Sequence, residues 1–377
     1  LYCDGNGELD YDCSLCGCDS KYVCEGGSCV IEEVFQEGLC YDDIVLSDLT
    51  KIKNAGFNKI RIISYVRYPG ELPTWPNDVF ISFPNPTNEE LEDLMKYLSM
   101  LEDSGLYYEF VFNIPDSNGM YYTHGITTQD YKDFIDAVWP SIWVGGLSRI
   151  VFGGDLYLEY NVLCPGISQE KINSHGQFTQ EVWSYLYDKC PTCNVGIEVA
   201  PGCNNLYDYS VASTEWIKDN VSPEPHFIGY QYYPTTAVAN LYDDSGTIDW
   251  NSMVDDWYNS ISAVSGDIPI YVDEVGMQVS NLNYGQTYFT EQEQDEFFDV
   301  TLNYFNEKGL WFNIWEYTGA SNSGIGQFWL VDDSRDRMAW STVSSIVEDM
   351  HLSINRGIQY QPFESVGWQH INGLCNQ

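Results

Sequence analysis

Positive charge is what this chain has least of. Its 377 residues carry 16 Lys+Arg against 56 Asp+Glu, a formal net charge of −40. Phosphate backbones and anionic lipid surfaces are held by clusters of Lys and Arg, so this balance argues against nucleic acid and membrane surfaces as partners. No run of 18 apolar residues occurs, so no membrane-spanning helix is expected. The five His are scattered and none falls in a His-Glu-x-x-His spacing, so neither a catalytic metal nor another cofactor is expected. Gly-x-Ser-x-Gly is also missing, which leaves no nucleophile elbow for a Ser–His–Asp hydrolase. After the first strand candidate comes Cys40-Tyr-Asp-Asp rather than a glycine-rich phosphate turn, which argues against a doubly wound dinucleotide-binding sheet.

What the chain does have is apolar bulk: 44% hydrophobic residues, with 29 Tyr, 17 Phe and 12 Trp. That is enough to bury a sizeable core, so the acidity does not signal disorder. It also has 12 Cys, and six of them, Cys3, Cys13, Cys16, Cys18, Cys24 and Cys29, fall within the first 29 residues. A segment this small cannot fold on apolar burial alone, so disulfides formed in an oxidising, extracellular compartment are expected. Cys13 and Cys16 have zinc-like spacing, but no second pair follows to complete a site. The segment resembles a short EGF-like or other small secreted module. Asp4, Asn6, Glu8 and Asp10 alternate around Gly5 and Gly7, read here as a solvated acidic turn rather than a calcium loop. The start at Leu1, without a charged–apolar leader, is read as that of a processed secreted chain.

Beyond residue 31 one rhythm repeats. Eight β-rich runs, Val34–Tyr41, Lys59–Tyr65, Tyr107–Pro115, Arg149–Asp155, Asn194–Pro201, Phe227–Pro234, Ile268–Gly276 and Leu310–Tyr317, alternate with amphipathic runs. The clearest helices are 46–55, 89–102, 129–138, 181–189, 253–264, 291–307 and about 335–350. Asn88-Glu-Glu and Thr290-Glu-Gln-Glu look like capped acidic helix starts. Gly56, Gly105, Gly146 and Gly309 stand where helix C-caps are needed. Strict β–α alternation implies parallel strands with crossover helices, and eight units close into a (β/α)8 TIM barrel. The expected organisation is a disulfide-rich module at 1–31, the barrel at 32–350, and a tail at 351–377 packing back on the barrel.

In such barrels chemistry sits at the C-terminal ends of the strands. The seventh strand ends Val272-Asp-Glu-Val-Gly276, and simple alternation puts Asp273 and Glu274 on opposite faces. The fourth ends Gly154-Asp155, the sixth Gln231-Tyr-Tyr-Pro234 and the eighth Ile314-Trp-Glu-Tyr317, while the second carries Arg61. Two carboxylates across an aromatic-lined mouth suit glycosidic bond cleavage.

These residues resemble clan A, the large group of retaining glycoside hydrolases built on TIM barrels. The resemblance spans most of 32–350. It implies that Glu274 is the nucleophile, that Arg61 near the end of the second strand supports it, and that Tyr233 bonds it. It further implies that Trp315 floors the central sugar site. Gln231 fills a slot where the family often has His, and Gln cannot titrate. Trp329, within Ile325-Gly-Gln-Phe-Trp, belongs to the stretch before the last helix and is a candidate sugar platform. Trp75, Tyr121, Tyr122 and His124 are others. The fourth strand departs from the pattern. Gly154-Asp155 replaces the family's Asn-Glu, which leaves Asp155, or the nearby Glu159, as the acid/base candidate. A carboxyl drawn back by about 1 Å can cost on the order of 10²-fold in rate. Two readings therefore stand. One is a secreted retaining hydrolase of a β-linked polysaccharide. The other is a catalytically degenerate barrel that binds carbohydrate or builds an extracellular wall or filament, through self-assembly or wall partners.

The remaining cysteines test the barrel. Cys164 and Cys203 follow adjacent strands and should pair. Cys190-Pro-Thr-Cys193 sits at a helix end, where a structural bond is expected rather than a redox motif. Cys40 and Cys375 are left to tie the tail to the barrel. One sequon, Asn220-Val-Ser, is present, with Pro223 directly after it.

Overall fold

The computed structural model describes residues 22–25, 28–31, 38–40, 46–67, 80–113, 127–143, 146–153, 169–190, 193–199, 206–234, 239–244, 247–279, 289–314, 331–332 and 335–355. The chain divides into two compact units, Gln36–Tyr360 and a second made of Leu1–Phe35 and Gln361–Gln377.

The larger unit is a closed (β/α)8 barrel. Its strands are β1 (Gly38–Cys40), β2 (Lys59–Arg67), β3 (Tyr107–Asn113), β4 (Leu147–Gly153), β5 (Val195–Val199), β6 (Phe227–Tyr232), β7 (Ile270–Val275) and β8 (Phe312–Ile314). Each pairs in parallel with the next. The ring closes where β8 pairs with β1, Asn313 against Gly38 and Ile314 against Leu39. A short strand, Phe80–Ser82, extends the sheet beside the far end of β2. All eight strand expectations hold, although β2 runs on to Arg67 and β4 begins at Leu147, both beyond the expected bounds.

Among the described residues eight α-helices flank the ring: α1 (Leu46–Asn54), α2 (Asn88–Asp103), α3 (Thr128–Val138), α4 (Gln169–Lys189), α5 (Leu206–Asn220), α6 (Trp250–Ser265), α7 (Glu291–Lys308) and α8 (Met338–Asn355). Local chemistry sets their ends. Thr290 and Glu293 form a reciprocal capping box at the start of α7, and Gly309 ends that helix in the left-handed region at φ 67°. At α2 the cap is Thr87 rather than Asn88, because Glu90 closes the box back to it. Among the described residues no helix is long and apolar enough to cross a membrane.

Three helices depart from expectation. α4 begins at Gln169, well before the expected start at 181. α5 is not among the clearest amphipathic runs, yet it is a 15-residue helix. Its buried positions include Ser210, Ser213 and Thr214, so its inner face shows little apolar periodicity. Thr214 Oγ1 lies 2.6 Å from the Tyr230 hydroxyl, so the helix docks through hydroxyls. α8 runs to Asn355, past the expected boundary at 350.

Outward strand residues meet the helices in an aromatic shell. Tyr232 packs on Trp257 at 4.7 Å and stacks on Phe297 at 5.9 Å between ring centres. Phe112, Tyr131, Phe134, Phe152 and Trp183 fill the opposite side, all fully buried. Cys190 and Cys193 form the expected disulfide, with Cα atoms 5.3 Å apart.

The second unit contributes one described hairpin, Tyr22–Glu25 with Ser28–Ile31, whose register sets Cys24 opposite Cys29. Residues 1–21 and 356–377 lie outside the described residues. The expected three-disulfide module and the packing of the tail therefore stand as proposals.

Candidate active site

The inward strand residues make a charged lumen. Lys59, Arg61, Glu109, Arg149, Glu198, Asp273 and Glu274 are all buried there, three cations against four carboxyls. Burial strips ions of water, so each must find its partner inside the barrel.

Arg61 is the hub. One terminal nitrogen, Nη1, donates to Glu109 Oε1 at 2.6 Å and lies 3.6 Å from Asp273 Oδ2. The other, Nη2, lies 2.6 Å from Glu198 Oε1 and 3.3 Å from Glu274 Oε1. The Glu198 contact is close in distance but is not aligned as a hydrogen bond. Burial works against the Arg61 charge, yet Glu198, Glu274, Glu109 and Asp273 together hold the guanidinium protonated more firmly than usual. Arg61 is the third of nine residues in β2 rather than near the strand's end. Its long side chain, not its backbone position, takes the charge to β7.

Below the hub, Glu109 gathers the remaining cations. Lys59 Nζ lies 3.4 Å and Arg149 Nη1 3.6 Å from Glu109 Oε2. Asn313 Nδ2 donates to Glu109 Oε1 at 3.3 Å and to the Asp273 carbonyl at 3.0 Å. Burial would raise the Glu109 pKa, but Lys59, Arg61 and Arg149 outweigh it and bring the carboxyl down to about 2. Burial, helped by Arg149, lowers Lys59 to about 8. The floor is aromatic: the Arg149 guanidinium sits 3.9 Å from the Trp311 ring centre and 4.1 Å from that of Tyr271.

A bulge in β7 aims both of its acids inward. Val272 pairs with Tyr230 and Glu274 with Gln231, so Asp273 is an extra residue on the strand. This overturns the expectation that alternation separates Asp273 and Glu274, since both carboxylates approach Arg61. Gly229 makes the bulge feasible. A Cβ there would fall 1.6 Å from Asp273 Oδ2, so only glycine lets that carboxyl lie against β6. Burial and the nearby Glu109 push the Asp273 pKa well above the usual carboxylate range.

Glu274 stands at the C-terminal end of β7, 4% exposed. The Tyr233 hydroxyl, just beyond β6, donates a short hydrogen bond to Glu274 Oε2. Gln231 Nε2 donates to Glu198 Oε1 at 3.1 Å. The lumen thus brings together Arg61, Gln231, Tyr233 and Glu274 from the sequence candidates. Asp155, Glu159, Trp315 and Trp329 lie outside the described residues, as do Trp75, Tyr121, Tyr122 and His124. So do Cys164, Cys203 and Cys375; Cys40 belongs to β1, but its proposed partner is among them.

Sequence reasoning missed Glu198, Glu109, Lys59, Arg149 and Asn313. The signal was present in Val195-Gly-Ile-Glu-Val199: a lone carboxyl inside an apolar strand run. In a parallel barrel both strand faces are buried, so such a residue must point into the lumen and find a counter-charge.

No family model matches the sequence, and no curated protein matches it. Solved structures do match the fold. The exo-beta-1,4-mannosidase Op5Man5 from Opitutaceae bacterium strain TAV5 superposes with a TM-score of 0.58 at 13% identity, over 91% of this chain and 63% of that one. The chain therefore spans less than two thirds of that enzyme. The endoglucanase Cel5A from Pseudomonas stutzeri, solved with cellobiose, gives 0.57 at 9% identity, over 83% of this chain and 92% of that one. A broad-specificity endoglucanase of class GH5-4 from Clostridium longisporum gives 0.54 at 14% identity, over 82% and 86%. The chain shares with these glycoside hydrolases the (β/α)8 barrel fold.

Proposed function

We propose that this protein is a secreted retaining glycoside hydrolase of a β-linked polysaccharide, with Glu274 as nucleophile. The observation that carries the reading is the setting of Glu274: end of β7, Tyr233 on one oxygen and Arg61 Nη2 at 3.3 Å from the other. Together they fix the direction of a carboxylate at the mouth, as attack on an anomeric carbon requires. In the first step Glu274 forms a bond to the anomeric carbon while the glycosidic bond breaks. Asp155, or else Glu159, protonates the departing oxygen. In the second step that carboxylate takes a proton from water, the water oxygen bonds to the sugar, and Glu274 leaves. Arg61 and Tyr233 stabilise the carboxylate that departs. Trp315 and Trp329 are proposed to stack on the sugar, which would be a neutral polysaccharide, given the acidic surface. The matched solved structures, named as a mannosidase and endoglucanases, support this substrate class through fold alone. The cysteine-rich N-terminus supports an extracellular setting.

The competing reading is a degenerate barrel that binds carbohydrate or builds a wall or filament. Gly154-Asp155, in place of Asn-Glu, favours it. The test is hydrolysis of β-glucan, xylan, mannan and galactan by the wild type and by Glu274→Gln. The hydrolase reading expects turnover of at least one polymer and a loss of about 10³-fold or more in the variant. Binding of one polymer without cleavage of any refutes that reading and leaves the degenerate barrel.

A further inference from the structure

We propose that Glu198 is a positioning residue for Glu274, acting through the single guanidinium nitrogen of Arg61 that both carboxyls share. The proposal rests on the reading of Glu274 as nucleophile, and goes beyond it by assigning a residue on a strand that the reading leaves idle.

The geometry is specific. Arg61 Nη2 lies 2.6 Å from Glu198 and 3.3 Å from Glu274, so the two acids compete for one cationic nitrogen. The Glu198 side chain is fully buried, so it does not reach a sugar in the mouth and acts through its neighbours. Its Oε1 also takes the Gln231 amide at 3.1 Å, while its Oε2 has no hydrogen-bond partner among the described residues. Among the described residues four side chains interact with it from three elements: Arg61 from β2, Gln231 from β6, and Asp273 and Glu274 from β7. Glu109 draws on the other nitrogen of the same guanidinium.

Charge decides the consequence. With Glu198 protonated, Arg61 Nη2 is opposed by one full negative charge, that of Glu274. With Glu198 ionised, the nearer carboxylate takes the cation, and Glu274 gains a negative neighbour while losing its clamp. Burial, opposed by Arg61 and reinforced by Glu274, pushes the Glu198 carboxyl up to about 8. The protonated form therefore dominates at neutral pH, and the clamp on Glu274 loosens in alkali. Gln231 fits this role because its amide can donate to the carbonyl oxygen of a protonated Glu198 without adding charge.

The experiment has two arms. The first is NMR of wild-type protein labelled at the glutamate carboxyl carbon, with the two signals assigned through bonds from their own backbone amides. Glu198 is expected to titrate near pH 8, with the Glu274 signal stepping at the same pH in the wild type and not in Glu198→Gln. The second arm measures kcat/KM on dinitrophenyl β-glycosides, whose leaving group needs no proton, so the acid/base residue does not shape the first step. Wild-type kcat/KM should fall about tenfold per pH unit above about pH 8, and the fall should vanish in Glu198→Gln, with neutral-pH values within about threefold. A Glu198 that titrates with ordinary exposed glutamates, a Glu274 signal without the step, or an alkaline limb unmoved by Glu198→Gln overturns the proposal. The first two readings need only the wild type, so a variant that fails to fold does not shield it. A coupled NMR step with no turnover of any glycoside overturns the hydrolase reading instead and leaves the charge coupling standing.

Discussion

The two faces of the barrel strands solve burial in opposite ways. Outward residues such as Tyr232, Phe112 and Phe152 enter an aromatic shell under the helices. There the gain comes from apolar area, and neighbours are largely interchangeable in chemistry if not in shape. Inward residues such as Arg61, Glu109 and Glu198 are equally buried, but they are charged. A charged cluster is stable only as a set, because removing one member strands the others without water or counter-charge. The shell therefore tolerates single changes in proportion to volume, while the lumen answers single changes in proportion to charge.

The largest expected effect is at the hub. Arg61→Met keeps most of the stem and deletes the cation that approaches four carboxyls. We expect a loss of about 3–5 kcal/mol in urea unfolding, the cost of breaking a buried ionic cluster from one side. A cost below about 1 kcal/mol would place Arg61 with exposed ion pairs and erase the contrast between the faces.

The pH dependence of stability comes next, and its sign follows from the lumen. Glu109 is depressed from 4.5 to about 2, so its contribution is complete above 4.5 and is lost as pH falls through 2. Glu198 is raised from 4.5 to about 8, so the folded chain keeps a proton that the unfolded chain releases. Stability then falls as pH rises from 4.5 to 8, and Asp273, also raised, acts in the same sense. Lys59, lowered from 10.5 to about 8, restores some stability above pH 8. The urea midpoint should peak at mildly acidic pH and decline toward pH 8. Self-repulsion of the acidic surface also grows with pH. Glu198→Gln leaves that term in place and should flatten the decline by more than about 1 kcal/mol. A midpoint that rises over this range would mean that the lumen acids ionise as freely as exposed ones.

The same contrast explains what the sequence made legible. Shell residues repeat at helix and strand periods, so eight strands, most helices and the barrel itself could be read from spacing alone. α5 escaped because its buried serines and threonine mask the period. Lumen residues have no period of their own: Glu109, Arg149 and Glu198 each look like a chance charge in an apolar strand. The bulge was invisible for a related reason. An extra residue in β7 changes no composition, yet it turns Asp273 and Glu274 to the same side. Arg61, Gln231, Tyr233 and Glu274 were found because their motifs resemble a known arrangement, not because spacing reveals a charge network.

The smallest expected effect sharpens the contrast from the shell side. Tyr232 and Tyr230 project from the same strand, both fully buried, against the same Trp257. The Tyr230 hydroxyl is 2.6 Å from Thr214, whereas the Tyr232 hydroxyl has no hydrogen-bond partner among the described residues. A buried hydroxyl without a partner has lost its water for nothing in return. Tyr232→Phe should therefore leave stability unchanged or raise it by up to about 1 kcal/mol, while Tyr230→Phe should lower it by about 0.5–1.5 kcal/mol. Both variants keep the ring and its stacking, so urea midpoints read the hydroxyl alone. If Tyr232→Phe proves the costlier of the two, that oxygen is bonded. The shell would then depend on polar sets as the lumen does, and the division between the two strand faces would not hold at β6.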